Sequence, residues 1–138
     1  MIKLKDLLTE EDSNDRGGVL LKVMNKYLLC KSAGSGKWNI PKGHIMKGED
    51  FRVGSVREFE EETQIKLEAV PKLLKKSEIN GNNFYIYIAE TNQEKIPKLD
   101  FEHTDWGYFT LDDLPTPLHK AIEEVFDEIR YSWGVSTF

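Results

Sequence analysis

Glu58, Glu60, Glu61 and Glu62 follow Arg57 almost without a break, and Glu49 and Gly43 stand upstream with seven and then five residues between. By itself a run of acids in a helical stretch reads as a solvated charged face. Two features argue for chemistry as well. Like charges at i, i+3 and i+4 repel by about 0.2–0.5 kcal/mol per pair, a cost that a hard divalent cation with oxygen ligands reverses. The acids are also introduced by Pro41-Lys42-Gly43-His44, where proline removes a backbone donor and glycine permits unusual backbone angles. Carboxylates on a helix beside a glycine-bearing loop describe a platform for magnesium.

The same spacing resembles the signature of the Nudix hydrolases, G-x5-E-x7-R-E-U-x-E-E-x-G-U with U a bulky apolar residue. Gly43, Glu49, Arg57, Glu58, Phe59, Glu61, Glu62 and Ile65 match it, and Gln64 departs from it where the family has glycine. The resemblance runs from Gly17 to the C-terminal helix. It implies an α/β protein, an α/β/α sandwich around a central mixed sheet, as a single domain over 1–138 with 1–16 a short N-terminal extension. It further implies hydrolysis of a nucleoside diphosphate linked to another group, with Mg²⁺ as cofactor and Mn²⁺ as a substitute.

Residue roles carry over by position. Glu58, Glu61 and Glu62 resemble the metal-binding and water-activating carboxylates, and the Lys42 carbonyl stands where the family often supplies a backbone metal ligand. Arg57 resembles the residue that orients these acids, and Glu49 the one that fixes the loop against the helix. Glu102 is the candidate general base from a later loop, with Asp105 second. The run Trp38-Asn39-Ile40-Pro41-Lys42-Gly43-His44 is similar to that of dinucleoside polyphosphate hydrolases and, less closely, of mRNA-decapping members. That similarity makes Trp38, Lys42 and His44 the candidate substrate-binding residues. Trp38 also has a plain reading as core, and His44 as a residue that satisfies the loop. Lys31, Lys37, Lys72, Lys75 and Lys76 read either as cations for distal phosphates or as ordinary surface lysines.

The implied partner is therefore a nucleotide, first a diadenosine polyphosphate, with ADP-ribose, a damaged nucleoside triphosphate or an RNA 5′ end ranking behind it. A nucleotide sensor without catalysis is the rival class. Degenerate modules of that kind usually lose a metal carboxylate, whereas every acidic motif position is present here.

Positioning such residues takes a definite set of elements. Val53, Val56 and Phe59 at three-residue spacing predict a helix over 49–63 whose apolar stripe faces a sheet, with Glu58, Glu61 and Glu62 opposite it. Val19–Met24 and Tyr27–Lys31 predict a hairpin about Asn25-Lys26. Ile65–Leu74 and Phe84–Ile88 predict strands around Asn80-Gly81-Asn82, and Asp105–Thr110 a further strand. Leu118, Ala121, Ile122, Val125, Phe126 and Ile129 predict an amphipathic helix after Pro115 and Pro117. Leu4, Leu7 and Leu8 suit a short helical turn.

Composition sets the outer bounds. The chain has 138 residues and a formal charge of −5, from 19 Lys+Arg against 24 Asp+Glu. An acid excess argues against tight electrostatic binding of duplex nucleic acid, which needs many phosphate-neutralising cations. A single cysteine, Cys30, excludes an internal disulfide and fits a reducing cytoplasm. No stretch has the apolar length of a membrane span or of a secretory h-region, so no membrane partner is expected.

Overall fold

The computed structural model describes residues 14–136. The turn expected at Leu4, Leu7 and Leu8 lies outside them. Strand β1 (Arg16–Val23) turns through Met24 into β2 (Lys26–Ser32). Two very short strands follow, β3 (Trp38–Asn39) and β4 (Lys42–His44), and then helix α1 (Phe51–Thr63). A hairpin of β5 (Lys72–Ile79) and β6 (Asn82–Thr91) leads to β7 (His103–Phe109), a 3-10 turn over Leu111–Asp113 and helix α2 (Lys120–Ser136). Asn80 and Gly81 take φ of 54° and 80°, the left-handed pair that a two-residue hairpin turn demands. Arg16, placed by its sequence in the N-terminal extension, is already the first residue of β1.

The sheet is mixed. β1 runs parallel to β6 along its whole length, from Arg16↔Phe84 to Val23↔Thr91, and β5 pairs antiparallel on the outer side of β6. On the other side β1 pairs with β2 only near their hairpin, at Lys22↔Tyr27 and Val23↔Lys26. The two strands then part. β4 takes the free end of β1 through Arg16↔His44, Gly17↔Gly43 and Gly18↔Lys42, while β3 and β7 pair with β2. This fork in the sheet opens the cleft described below.

Alternation along the strands builds two apolar layers. Val19, Leu21 and Val23 of β1 join Tyr85, Tyr87 and Ala89 of β6 around Phe59 of α1. Leu20, Phe84 and Ile86 face the other way, onto Ala121, Ile122, Val125 and Phe126 of α2. Phe126 meets Tyr27 edge-on, with ring centroids 5.2 Å apart. The result is the expected α/β/α sandwich.

Four local expectations change. The segment before α1 is not all loop, because β3 and β4 flank Ile40-Pro41 and place the donorless Pro41 between ladders; its carbonyl accepts from Val19 N at 3.3 Å. Residues 65–71 are not a strand, since their donors go elsewhere: Ile65 N bonds Thr63 Oγ1 and Leu67 N bonds Glu60 Oε2. The strand starts after Pro71 instead. β7 begins at His103, two residues before the stretch expected.

The fourth change bears on function. Val53 is 59% exposed, whereas Glu58 and Glu62 are buried with Gly54, Ser55 and Phe59. α1 rests on β1 through small residues, and a Cβ at Gly17 would lie 2.1 Å from Ser55 Oγ. That close approach draws the neighbouring acids inward.

Asp50 caps α1, accepting from Arg52 N and Val53 N at 3.0 Å. Gln64 ends it in the left-handed region at φ 61°, ψ 16°, donating its N–H to Glu60 O. The family glycine is thus replaced without rebuilding the turn, at a conformational cost. Gln64→Gly is expected to stabilise the fold by about 0.5–1 kcal/mol, because glycine tolerates this φ. Thermal melts check it, and a lower Tm for the variant would contradict the strain.

Candidate active site

Arg57 organises the acids. Its Nε donates to Glu49 Oε2 and its Nη2 to Glu49 Oε1, both at 2.8 Å, a bidentate pair. Nη1 donates to Glu58 Oε1 at 2.8 Å and to Glu61 Oε2 at 3.0 Å. Nη2 also reaches the His44 carbonyl at 3.1 Å. One planar fork therefore ties three carboxylates to the end of β4. The bonds to Glu49, then those to Glu58, hold the guanidinium even more firmly protonated than usual. Glu49 Oε1 accepts from Met46 N at 2.9 Å as well, which clamps the loop before the helix.

Gly43 is required by Glu58. A Cβ on residue 43 would lie 1.8 Å from Glu58 Oε2, so only glycine lets this buried carboxylate lie against β4. From the sequence, glycine here is expected to permit unusual backbone angles; the structure shows that it makes room for the Glu58 carboxylate.

The fork between β1 and β2 holds a cleft of ≈ 580 Å³. Glu62 of α1, Lys42 of β4 and Glu102 before β7 all line it. Glu62 Oε2 lies 3.5 Å from His103 Nδ1, which lies 3.3 Å from Asp100 Oδ1. These three residues bring ligand-type atoms within 4.8 Å of one another. Burial, and then Arg16, push the Lys42 pKa down, while Glu62, Glu102 and Glu58 act in the opposite sense.

The expected residues are thus gathered unevenly. Glu49, Arg57, Glu58 and Glu61 form one hydrogen-bonded cluster, and Glu62, Lys42 and Glu102 share the adjoining cleft. Asp105 does not join them, since it is exposed and its Oδ1 accepts from Trp106 N. His44 serves Arg57 through its carbonyl, which favours the loop-satisfying reading of that residue. Trp38 is corrected from a base-stacking candidate to core: it is 8% exposed and packs edge-on against Phe109 with centroids 5.3 Å apart. Its backbone is bonded to Pro117 and His119, which fixes the strand end beside α2. Of the lysines considered, Lys37 lines the cleft, whereas Lys75 pairs with Glu128 at 2.6 Å and Lys76 lies over the Tyr85 ring.

Sequence reasoning missed Phe101, His103, Arg16 and His119. Phe101 is 91% exposed and lines the cleft, an arrangement no periodicity signals because it lies in a loop. His103 and Asp100 reach Glu62 only through the fold.

Glu58, Glu61 and Glu62 carry carboxylate oxygens on α1, the donor chemistry a hard divalent cation takes, and the Glu58 carboxylate fills the space that a Cβ on Gly43 would occupy. A carboxylate carries about four lone-pair sites, so bonding Arg57 and ligating a cation are compatible.

Comparison with known proteins agrees with this geometry. The NUDIX domain family model matches residues 13–129. The chain belongs to that family. A curated relative, an RNA pyrophosphohydrolase from Pelagibacter ubique, is 42% identical over 55 residues, which span 38% of this chain and 35% of that protein. The match thus covers about a third of the relative's length. Among solved structures, a MutT NUDIX hydrolase from Burkholderia pseudomallei is 27% identical with a TM-score of 0.71, covering 85% of this chain and 98% of that one. An Ap4A hydrolase binary complex from C. elegans shares the fold at 20% identity with a TM-score of 0.72, covering 89% and 99%. No described helix is long and apolar enough to cross a membrane.

Two outcomes follow from the geometry. Gly43→Ala must displace Glu58, so Mn²⁺ affinity should fall by about tenfold or more, the scale of losing one well-placed ligand contact. A titration monitored by electron paramagnetic resonance reads this, and unchanged affinity would contradict a cation held by Glu58. Separately, burial first, and then Glu62 and Asp100, push the Cys30 thiol up to about 12. Because the thiol form persists below that pH, a disulfide reagent at pH 8 should label Cys30 only after unfolding. Rapid labelling of the folded protein would overturn the assignment.

Proposed function

We propose that this protein is a magnesium-dependent pyrophosphohydrolase that cleaves a phosphoanhydride bond of a nucleoside diphosphate derivative, with a dinucleoside polyphosphate as preferred substrate. The observation that carries the reading is the Arg57-centred set of Glu49, Glu58 and Glu61 at the edge of a cleft walled by Glu62 and Glu102. Glu58, Glu61, Glu62 and the Lys42 carbonyl would hold the cation. When bound, such an ion neutralises phosphate charge and lowers the pKa of attacking water.

The remaining work falls to side chains of the chain. Arg57 keeps Glu58 and Glu61 in place against their mutual repulsion. Glu102, exposed on the cleft wall, takes a proton from water as general base. Lys42 faces the phosphates, and its lowered pKa records the burial that makes an anion welcome beside it. Phe101 replaces Trp38 as the aromatic surface for a base.

Two relatives point to substrates with several phosphates, one named for Ap4A and one for RNA pyrophosphohydrolysis. The local 42% identity with the latter makes a triphosphorylated RNA 5′ end the second reading.

Glu61→Gln should lower turnover by at least about 100-fold with the fold intact, as loss of an anionic ligand predicts, while Glu102→Gln should lower kcat on a similar scale and leave Mn²⁺ affinity near wild type. Near-normal turnover in both would contradict the site. A panel of diadenosine tetraphosphate, ADP-ribose and 5′-triphosphorylated RNA at millimolar Mg²⁺ assigns the substrate. A higher kcat/KM for ADP-ribose would reject the dinucleotide reading, and Phe101→Ala should raise KM for the preferred substrate by about tenfold if the ring stacks a base.

A further inference from the structure

Phe101 and Glu102, the aromatic ring and the acid on the cleft wall, are neighbours in sequence and stand on one tight turn. Asp100 closes that turn twice. Its carbonyl accepts from His103 N at 3.3 Å, the i to i+3 bond of a four-residue turn with Phe101 and Glu102 at its centre. Its side chain adds a second closure, because Asp100 Oδ1 accepts from Glu102 N at 3.0 Å. An acid that bonds the backbone two residues on is an Asx-turn, a local device that shapes the chain without help from a helix or a sheet. The same Oδ1 lies 3.3 Å from His103 Nδ1, and since a carboxylate only accepts, His103 is the donor.

The far side of the turn is held as well. Glu102 O accepts from Ala33 N at 2.8 Å, so the peptide groups on both sides of the Glu102 Cα are bonded, one to Asp100 and one to the loop between β2 and β3. Beyond this point the ladder between β2 and β7 slips. Lys31 pairs with Asp105 and Ser32 with His103, which leaves Thr104 as an extra residue. A bulge of this kind re-aims the chain at a strand end. Upstream, Lys98 N donates to Thr63 O at 2.8 Å and ties the same segment to the end of α1. The backbone under Phe101 and Glu102 is therefore ordered before a substrate arrives, and binding need not supply that ordering.

We infer that Asp100 is a positioning residue of the site: its side chain builds the turn that presents Glu102 and Phe101 to the cleft together. The roles of those two residues belong to the pyrophosphohydrolase reading, on which this inference rests, but the turn itself does not. Two consequences set Asp100 apart. Glu102→Gln acts on kcat and Phe101→Ala on KM, whereas loss of the Asp100 side chain displaces both residues and moves both constants at once. Asp100 also stands with Glu62 and His103 in a group whose atoms could hold a metal ion. A cation ligand needs the carboxylate charge, whereas the turn needs only an acceptor oxygen, which an asparagine amide supplies.

The test compares Asp100→Ala with Asp100→Asn, using diadenosine tetraphosphate at millimolar Mg²⁺. Asp100→Ala should lower kcat by about tenfold or more, the cost of a misplaced catalytic group, with Mn²⁺ affinity near wild type. Its KM should rise by about fivefold as stacking on Phe101 weakens. Asp100→Asn should restore both constants. Hydrogen exchange of the Glu102 amide, read by NMR, reports the turn without any turnover: it should be about tenfold faster in Asp100→Ala, as loss of one hydrogen bond predicts, and near wild type in Asp100→Asn. Unchanged exchange in Asp100→Ala overturns the inference. So does an Asp100→Asn variant as impaired as Asp100→Ala, or a fall in Mn²⁺ affinity in both, since either outcome makes the carboxylate charge the part that matters. If the wild type hydrolyses no nucleotide but the exchange pattern holds, the turn stands and the reaction reading falls.

Discussion

Glutamates crowded onto one helix and the loop before it repel one another, and the Arg57 guanidinium is what makes their arrangement stable. It bonds Glu49 through two nitrogens, Glu58 and Glu61 through a third contact point, and the His44 carbonyl at the end of β4. The fork geometry matters as much as the charge, because a lysine would supply a point charge without parallel donors. Through these bonds one side chain fixes the helix, the loop and the strand relative to each other. Gly43 and Gly17 complete the constraint by allowing α1 to approach the strands closely enough for Glu58 to be buried.

Burying Glu58 and Glu62 opposes stability unless each finds compensation. Arg57 provides it for the first, and His103 and Lys42 surround the second. The cleft carries acids and cations together, with Lys42 in electrostatic reach of Glu62, Glu102 and Glu58. It opens because β1 and β2 separate after their hairpin, and the short strands β3 and β4 fill the two arms without closing the gap.

Much of this was legible from residue types alone. The spacing from Gly43 to Ile65 pointed to the helix and its acids, the family resemblance it carries implied the orienting role of Arg57, and the period of Leu118 to Ile129 identified α2. Which way α1 faces was not legible. Val53, Val56 and Phe59 form a convincing apolar stripe, yet packing is decided by Gly54 and Ser55, which periodicity counts as neutral. The strand expected over Ile65–Leu74 fails across 65–71, where the Thr63 and Glu60 side chains accept from the backbone of Ile65 and Leu67. Trp38 was ambiguous in sequence, and its burial depends on Phe109 and on the chain near Pro117, far along the sequence. His103, Phe101, Arg16 and His119 sit in loops and at element ends, where only the tertiary fold brings them to the cleft.

The account turns on where a divalent cation sits. Crystals soaked in Mn²⁺ and measured at its absorption edge would locate the ion by anomalous difference density. The account predicts a peak within ligand distance of the Glu58 and Glu61 carboxylates and the Lys42 carbonyl. A peak confined to Glu62, Asp100 and His103, or no peak at saturating Mn²⁺, would contradict it.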